Sequence, residues 1–193
     1  MKISIHTLTI NSFLVSIFLL FTLVPWIGYL PFGIFKITLM PVLFLVSLEI
    51  LHLTTKINLI ICGILYGLFF GVSSLIQSAL YPSATAFIFV NTLFSIVPRI
   101  LMGVSVGTLA FALKNIINNS MLKKLILCFA VVSCNTLFVF LFVYYLGPVI
   151  YHDQNETIFS IFSWMILVTN YLPELLLTAF VYPPIALAVD RMR

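Results

Sequence analysis

Charged residues are scarce in this sequence: they make up 7% of its 193 residues, against about 25% in an average soluble domain. Hydrophobic residues make up 63%, which is more apolar surface than a soluble fold can bury. A helix that crosses a membrane needs about 20 apolar residues, so six such helices with short loops account for nearly the whole chain. We therefore predict an all-α integral membrane protein, a six-helix bundle that forms a single transmembrane domain over residues 1–193.

Sequence motifs for catalysis, metal binding and redox chemistry are also missing. There is no G-x-x-x-x-G-K-[ST] phosphate loop, H-E-x-x-H zinc motif or G-x-S-x-G nucleophile elbow, so we expect neither an enzyme nor a resident cofactor. Cys62, Cys128 and Cys134 lack the paired spacing of a zinc or redox site. Glu49 and His52 match one half of a di-iron motif, but no second half exists. The net charge of +4 comes from dispersed basic residues, which argues against a nucleic-acid partner.

Uninterrupted apolar runs predict where the six spans lie. They are Leu8–Val24, Phe35–Leu53, Leu59–Leu80, Phe87–Leu113, Leu122–Gly147 and Ile158–Val189. The first run is too long for the apolar part of a signal peptide and has no small-x-small cleavage site, so we expect a retained first span. The last run is long enough to tilt or to emerge from the membrane.

Lysine and arginine indicate the orientation, because they collect in cytoplasmic loops. Those on one side of the predicted spans are Lys2, Lys56, Lys114, Lys123, Lys124, Arg191 and Arg193. The opposite loops carry only Lys36, at the start of the second span, and the last of them carries Asp153 and Glu156. Both termini are therefore predicted to be cytoplasmic, in a multi-pass membrane protein.

Small residues recur every four positions on three predicted spans. They are Ser12 and Ser16 on the first, Gly63, Gly67 and Gly71 on the third, and Gly103 and Gly107 on the fourth. Such ridges let helix backbones approach closely in lipid. For the glycines we favour packing inside the bundle. For the serines, on a terminal helix, a partner subunit and an internal neighbour are equally open.

Two ionisable residues inside the predicted spans stand out, Arg99 and Glu174, because charge within the hydrocarbon is costly and usually functional. Each belongs to a polar series with four-residue spacing, which places its members on one helix face; the series are Asn91, Ser95 and Arg99, and Asn170, Glu174 and Thr178. Arg99 and Glu174 either pair and lock two helices together, or line an outward-open cavity, and both can hold because a pair can also close a site. In such a cavity Arg99 would bind a carboxylate or phosphate in a bidentate fork.

Other polar and aromatic residues of the outer half are weaker candidates. Asn135 lies in the fifth span, and Lys36 either lines the cavity or extends to the outer interface. For Tyr144, Tyr145 and Trp164 we favour a place in the interfacial aromatic belt.

Three stretches of this chain, each degenerate alone, together suggest a family. They are Pro-Trp-Ile-Gly-Tyr-Leu-Pro-Phe-Gly-Ile with Lys-Ile-Thr-Leu-Met-Pro (25–34 and 36–41), Gly-Ile-Leu-Tyr-Gly-Leu-Phe-Phe-Gly-Val-Ser-Ser-Leu (63–75) and Asn-Thr-Leu-Phe-Ser-Ile-Val-Pro-Arg-Ile-Leu-Met-Gly (91–103). With six spans and cytoplasmic termini, they resemble the substrate-binding membrane subunits, or S components, of energy-coupling factor (ECF) transporters, the bacterial vitamin importers.

The resemblance implies that a vitamin or related small molecule is captured in the outer half of the bundle. The candidate substrate-binding residues are Arg99, Asn91, Ser95, Asn135, Asn170, Glu174 and Lys36. It also implies docking on a separate membrane scaffold subunit, usually through alanines on the first helix, where this chain has Ser12 and Ser16. Two cytoplasmic ATPases of the ABC type would then drive the subunit to topple in the bacterial cell membrane and release substrate inward.

The substrate and the rival functions stay open at this point. An arginine at the cavity favours an anion, and the Pro98-Arg99 pair resembles pantothenate-type members, so pantothenate comes first; riboflavin, a thiamine precursor, pyridoxine and folate are alternatives. One rival is a non-transporting scaffold or assembly protein in which Arg99 and Glu174 form an internal clamp. Another is a stand-alone small-molecule carrier, which usually shows internal repeats, and we find none between the two halves.

Overall fold

The computed structural model describes residues 5–32, 35–55, 57–81, 86–151 and 157–190. Within these ranges the chain is helical apart from one small hairpin. In order, the elements are α1 (Ile5–Leu23), α2 (Pro25–Gly28), β1 (Tyr29–Phe32), β2 (Phe35–Thr38), α3 (Met40–Thr55), α4 (Leu59–Leu80), α5 (Ala86–Phe89), α6 (Thr92–Ser95), α7 (Val97–Ile116), α8 (Ser120–Tyr151) and α9 (Thr157–Asp190).

Four helical segments are long and apolar enough to cross a membrane, judged by length and composition. They are Leu59–Leu80, Thr92–Lys114, Ser120–Tyr151 and Phe159–Asp190, and two shorter apolar helices cover Leu8–Leu23 and Met40–Thr54. The chain is thus a membrane-embedded helical protein, and its sixfold crossing stays a prediction. At 1.5 Å per residue, the 34 residues of α9 exceed a hydrocarbon core of about 30 Å, so this helix tilts or emerges.

The predicted start of the second span is wrong, because residues Phe35–Thr38 form a strand. This strand pairs antiparallel with β1, so that Tyr29 lies opposite Thr38. Helix α3 begins only at Met40, whose backbone N–H donates to the Thr38 hydroxyl at 3.0 Å. Aromatic and β-branched residues favour a strand here, and a threonine side chain that accepts from the first turn favours the start of a helix after it.

The fourth predicted span is not one continuous helix. Two short helices, α5 and α6, precede α7, and Ile96 separates α6 from α7. Pro98 lies in the first turn of α7 and lacks the N–H that would donate to the carbonyl of Phe94, four residues earlier. Asn91 has an extended backbone and precedes α6, so the expectation that Asn91, Ser95 and Arg99 share one helix face is wrong for Asn91.

The glycine ridges pack against each other at the contact between α4 and α7. A Cβ atom added to Gly63 would lie 2.1 Å from the carbonyl oxygen of Gly103, and one added to Gly67 would lie 2.5 Å from that of Arg99. Real Cβ atoms do not approach so closely, so both positions require glycine. Packing inside the bundle is thus confirmed for these glycines, and it fixes the backbone of α7 at Arg99 against α4.

Candidate functional site

A small cavity at one end of the bundle gathers polar side chains from the hairpin and from α4, α7, α8 and α9. Its volume is about 80 Å³. The polar residues that line it are Tyr29, Thr38, Ser74, Gln77, Ser78, Arg99, Asn135, Thr136, Asn170 and Glu174. Four of the predicted substrate-binding residues, Arg99, Asn135, Asn170 and Glu174, therefore lie around one space although they come from three different helices.

Among the described residues that line this cavity, Arg99 is the cationic one, and it is 6% exposed. Its Nη1 donates to the carbonyl of Phe94 at 2.6 Å, the carbonyl that Pro98 leaves without a helical donor. The guanidinium carbon lies 5.1 Å from the ring centre of Phe89 and 5.8 Å from that of Phe70, within cation–π range. Its Nε is buried and has no hydrogen-bond partner among the described residues. The hydrogen bond to Phe94 thus holds the arginine at the break in the helix, while one of its donors has no partner among the described residues.

Glu174 is the anionic group of the same cavity and is 3% exposed. Its Oε1 accepts from the backbone N–H of Thr38 at 3.2 Å, so α9 holds the end of the hairpin. Within the part of the chain that the structure describes, no ion pair joins Arg99 and Glu174. Arg99 and Glu174 thus line the same cavity without a direct salt bridge between them in the described residues.

Asn135 and Asn170 supply neutral hydrogen-bonding groups between these charges. Asn135, on α8, is 6% exposed, and its Oδ1 finds no partner in the described ranges. The Asn170 side-chain oxygen accepts from the Thr169 hydroxyl at 3.2 Å. Thr178, the third member of the α9 series, is fully buried but is not among the residues that line the cavity.

Asn91 and Ser95 lie outside the cavity lining and serve the broken helix instead. The Asn91 side chain accepts from the backbone N–H of Leu93 at 3.0 Å and caps α6. The Ser95 hydroxyl donates to the carbonyl of Phe89. Both side chains thus satisfy backbone groups that an unbroken helix would have satisfied itself.

The remaining predicted residues are not among those that line the cavity. Lys36 has its backbone in β2, and its side chain lies outside the described residues. Ser12 and Ser16 are exposed on α1, where the Ser16 hydroxyl donates to the Ser12 carbonyl at 2.8 Å. The aromatic candidates are partly exposed on α8 and α9; they are Tyr144, Tyr145 and Trp164.

The sequence reasoning missed the contribution of α4. Ser74, Gln77 and Ser78 line the cavity, and their spacing of three and four residues places them on one helix face. The same signal had singled out the other two polar series, so it could have found this one. Tyr29 had no such signal, because its place depends on the hairpin, where its hydroxyl lies 3.2 Å from that of Ser73.

The cavity is small for a vitamin. Pockets for small molecules measure about 300–1,000 Å³, several times the volume found here. The hairpin contributes Tyr29 and Thr38 to the lining, and hydrogen bonds from these two residues hold it against α4 and α9. A ligand of vitamin size therefore requires the cavity to widen.

Comparison with known proteins adds one sequence relative. No protein-family model matches the chain. The chain is 32% identical over 105 residues to the pantothenate transporter PanT of Leuconostoc mesenteroides subsp. mesenteroides, in an alignment that covers 52% of this chain and 48% of the relative. The chain thus spans about half the length of the curated relative that it matches. This similarity confirms the resemblance predicted from the sequence: over about half its length, this membrane chain is similar to a pantothenate-type transport protein.

Proposed function

We propose that this chain is the substrate-binding subunit of an ECF-type importer and that it captures pantothenate from outside the bacterial cell. The observation that carries this proposal is the buried Arg99, which lies in one cavity with Glu174 and Asn135 and whose Nε has no hydrogen-bond partner among the described residues. In this proposal the bundle crosses the membrane six times and both termini are cytoplasmic. The similarity to a pantothenate transporter supports the substrate class.

The charges of the cavity suit the chemistry of pantothenate. This molecule has a carboxylate at one end, two hydroxyl groups at the other and an amide between them. Arg99 would bind the carboxylate through charge-assisted hydrogen bonds, and Glu174 would accept from a hydroxyl. Asn135 and Asn170 offer a donor and an acceptor to the amide. A ligand with negative charge at both ends fits less well, because one end would face the Glu174 carboxylate.

Energy for uptake would come from separate chains. The sequence has no phosphate loop, so hydrolysis of ATP would fall to two cytoplasmic ABC ATPases. A membrane scaffold subunit would dock on the exposed face of α1 that carries Ser12 and Ser16. Small side chains let a partner helix approach closely. The Ser16 hydroxyl already has a hydrogen-bond partner within α1, so a scaffold helix that covers this face would not leave that hydroxyl unsatisfied.

A thermal-shift screen of the purified, detergent-solubilised chain tests the proposal. A ligand at 100 times its dissociation constant stabilises the folded state by about 2.7 kcal/mol. Pantothenate should raise the melting temperature, whereas riboflavin, thiamine, pyridoxine and folate should leave it unchanged. A response to another of these vitamins would change the substrate but keep the role. If none of them stabilises the protein, the scaffold alternative is favoured and the proposal fails.

A further inference from the structure

A second, larger cavity lies at the opposite end of the bundle from the candidate site. It opens among the end of α3, the start of α4, the end of α7, the start of α8 and the end of α9, and its volume is about 770 Å³. This volume falls within the range of small-molecule pockets. The lysine distribution predicts that this end is cytoplasmic, so the cavity lies on the side where nothing in the proposed capture of pantothenate uses it.

Some of the charged groups in this cavity satisfy each other. Lys124 is 4% exposed and forms an ion pair with Asp190, and it also donates to the Ser120 hydroxyl at 2.8 Å. The Glu49 carboxylate accepts from the Tyr182 hydroxyl at 3.1 Å. Both carboxylates that line the cavity are therefore engaged inside the protein.

Two further lysines lack such compensation. Lys114 Nζ lies 3.4 Å from His52 Nε2, and Lys123 Nζ lies 3.4 Å from the Lys114 carbonyl oxygen. For neither lysine does the described structure contain an ion pair with a carboxylate. Both line the cavity, so together they give it an excess of positive charge. An anion between the two lysines would accept hydrogen bonds from Lys114 on α7 and from Lys123 on α8.

Besides the charged groups, the lining contains the polar residues His52, Asn118, Ser120 and Tyr182 and an apolar part. Leu48, Leu53, Leu59, Ala110 and Leu127 form this part. Lys114 is the last residue of the membrane-length segment Thr92–Lys114 and Leu59 is the first of Leu59–Leu80, so both lie at the edge of the hydrocarbon. Leu48, Ala110 and Leu127 lie further inside. A free phosphate compound would use the lysines and leave the leucine wall without a function, whereas an amphiphile would use both.

We propose that this cavity binds an anionic phospholipid of the cytoplasmic leaflet, with the headgroup phosphate between Lys114 and Lys123 and part of an acyl chain along the leucines. Basic pockets between transmembrane helices on the cytoplasmic side are suited to anionic headgroups. The proposal does not depend on the identity of the substrate in the outer cavity, because none of the described residues lines both cavities.

Native mass spectrometry of the full chain, titrated with dioleoylphosphatidylglycerol or dioleoylphosphatidylcholine, tests this site. A basic residue near an anionic headgroup contributes roughly a fivefold factor in affinity, so replacing both lysines, as Lys114→Gln with Lys123→Gln, should weaken phosphatidylglycerol binding about 30-fold. Phosphatidylcholine binding should not change. The charge-preserving pair Lys114→Arg and Lys123→Arg is the matched control and should bind like the wild type. The single glutamine variants should each lose about fivefold and serve if the double variant does not fold.

Two outcomes would overturn the proposal. One is equal binding of the two lipids, or phosphatidylglycerol binding that the glutamine variants leave unchanged. The other concerns free phosphate: sodium phosphate in millimolar excess should not displace the lipid, and displacement by it would assign the lysines to a soluble phosphate compound instead.

Discussion

Substitution of Gly67 by alanine should damage ligand binding although Gly67 does not line the cavity. The added Cβ would lie 2.5 Å from the carbonyl oxygen of Arg99 and 3.2 Å from its carbonyl carbon. Because these are backbone atoms, the clash is relieved only if α7 moves away from α4, by roughly 1 Å to reach van der Waals distance. That movement displaces the residue proposed to bind the substrate carboxylate.

Gly107 offers a matched control on the same helix pair. A Cβ at Gly107 would lie 2.6 Å from the carbonyl oxygen of Leu59, so Gly107→Ala creates a similar clash eight residues, or about 12 Å, further along α7. Overpacking of this kind typically costs about 1–3 kcal/mol, so both variants should lose similar stability. Only Gly67→Ala should also disturb Arg99.

The expected loss of affinity follows from the hydrogen bonds that Arg99 would make to the substrate carboxylate. A hydrogen bond to a charged group contributes about 1.5–3 kcal/mol, which corresponds to roughly 10- to 150-fold in affinity. Isothermal titration with pantothenate should therefore show a dissociation constant raised by about that factor for Gly67→Ala and by less than about threefold for Gly107→Ala. Thermal unfolding of both variants checks that their stabilities match. Equal loss of affinity in both, or no loss in Gly67→Ala, would refute the reasoning.

Three more predictions separate the roles assigned above. Asn91→Ser should keep full pantothenate affinity, because serine caps a helix as well as asparagine does. Asn135→Ser should lower the affinity about 5- to 10-fold, because a hydrogen bond to the substrate is lost. If titration with pantothenate shows the same loss for both variants, the capping role of Asn91 is contradicted. Tryptophan at both Ser12 and Ser16 should abolish co-purification with a scaffold subunit and spare pantothenate binding; loss of both together would place this face in the bundle's own packing. Lys123→Cys should react with a membrane-impermeant maleimide only in inside-out vesicles, and labelling from outside would reverse the predicted orientation.

The long helices were predictable because hydrophobic length alone marks a span. Helix α4 begins and ends at the predicted residues, and α9 differs from its prediction by one residue at each end. The same approach failed where the local backbone departs from a helix within an apolar run. It missed the hairpin strand Phe35–Thr38 and the break before Val97, because the length of an apolar run does not record a local change of the backbone. Pro98 carried the signal for the break in its missing N–H.

The candidate site was partly predictable for a different reason. Charge in a span is costly, so Arg99 and Glu174 stood out, and the structure places both in one cavity. Helical spacing then misled at Asn91, because the face it assumes does not exist in a broken helix. Tyr29 reaches the cavity only through the hairpin, a tertiary arrangement that spacing along one helix cannot reveal.

Direct titration of the purified chain with pantothenate, for the wild type and for Arg99→Gln, tests the central claim. We expect saturable binding by the wild type and a loss of roughly 10- to 150-fold in the variant, because glutamine keeps a neutral donor but loses the charge-assisted pair. Circular dichroism should show that the variant retains its helices. Wild-type protein that binds no pantothenate, or a folded variant with unchanged affinity, would contradict the account.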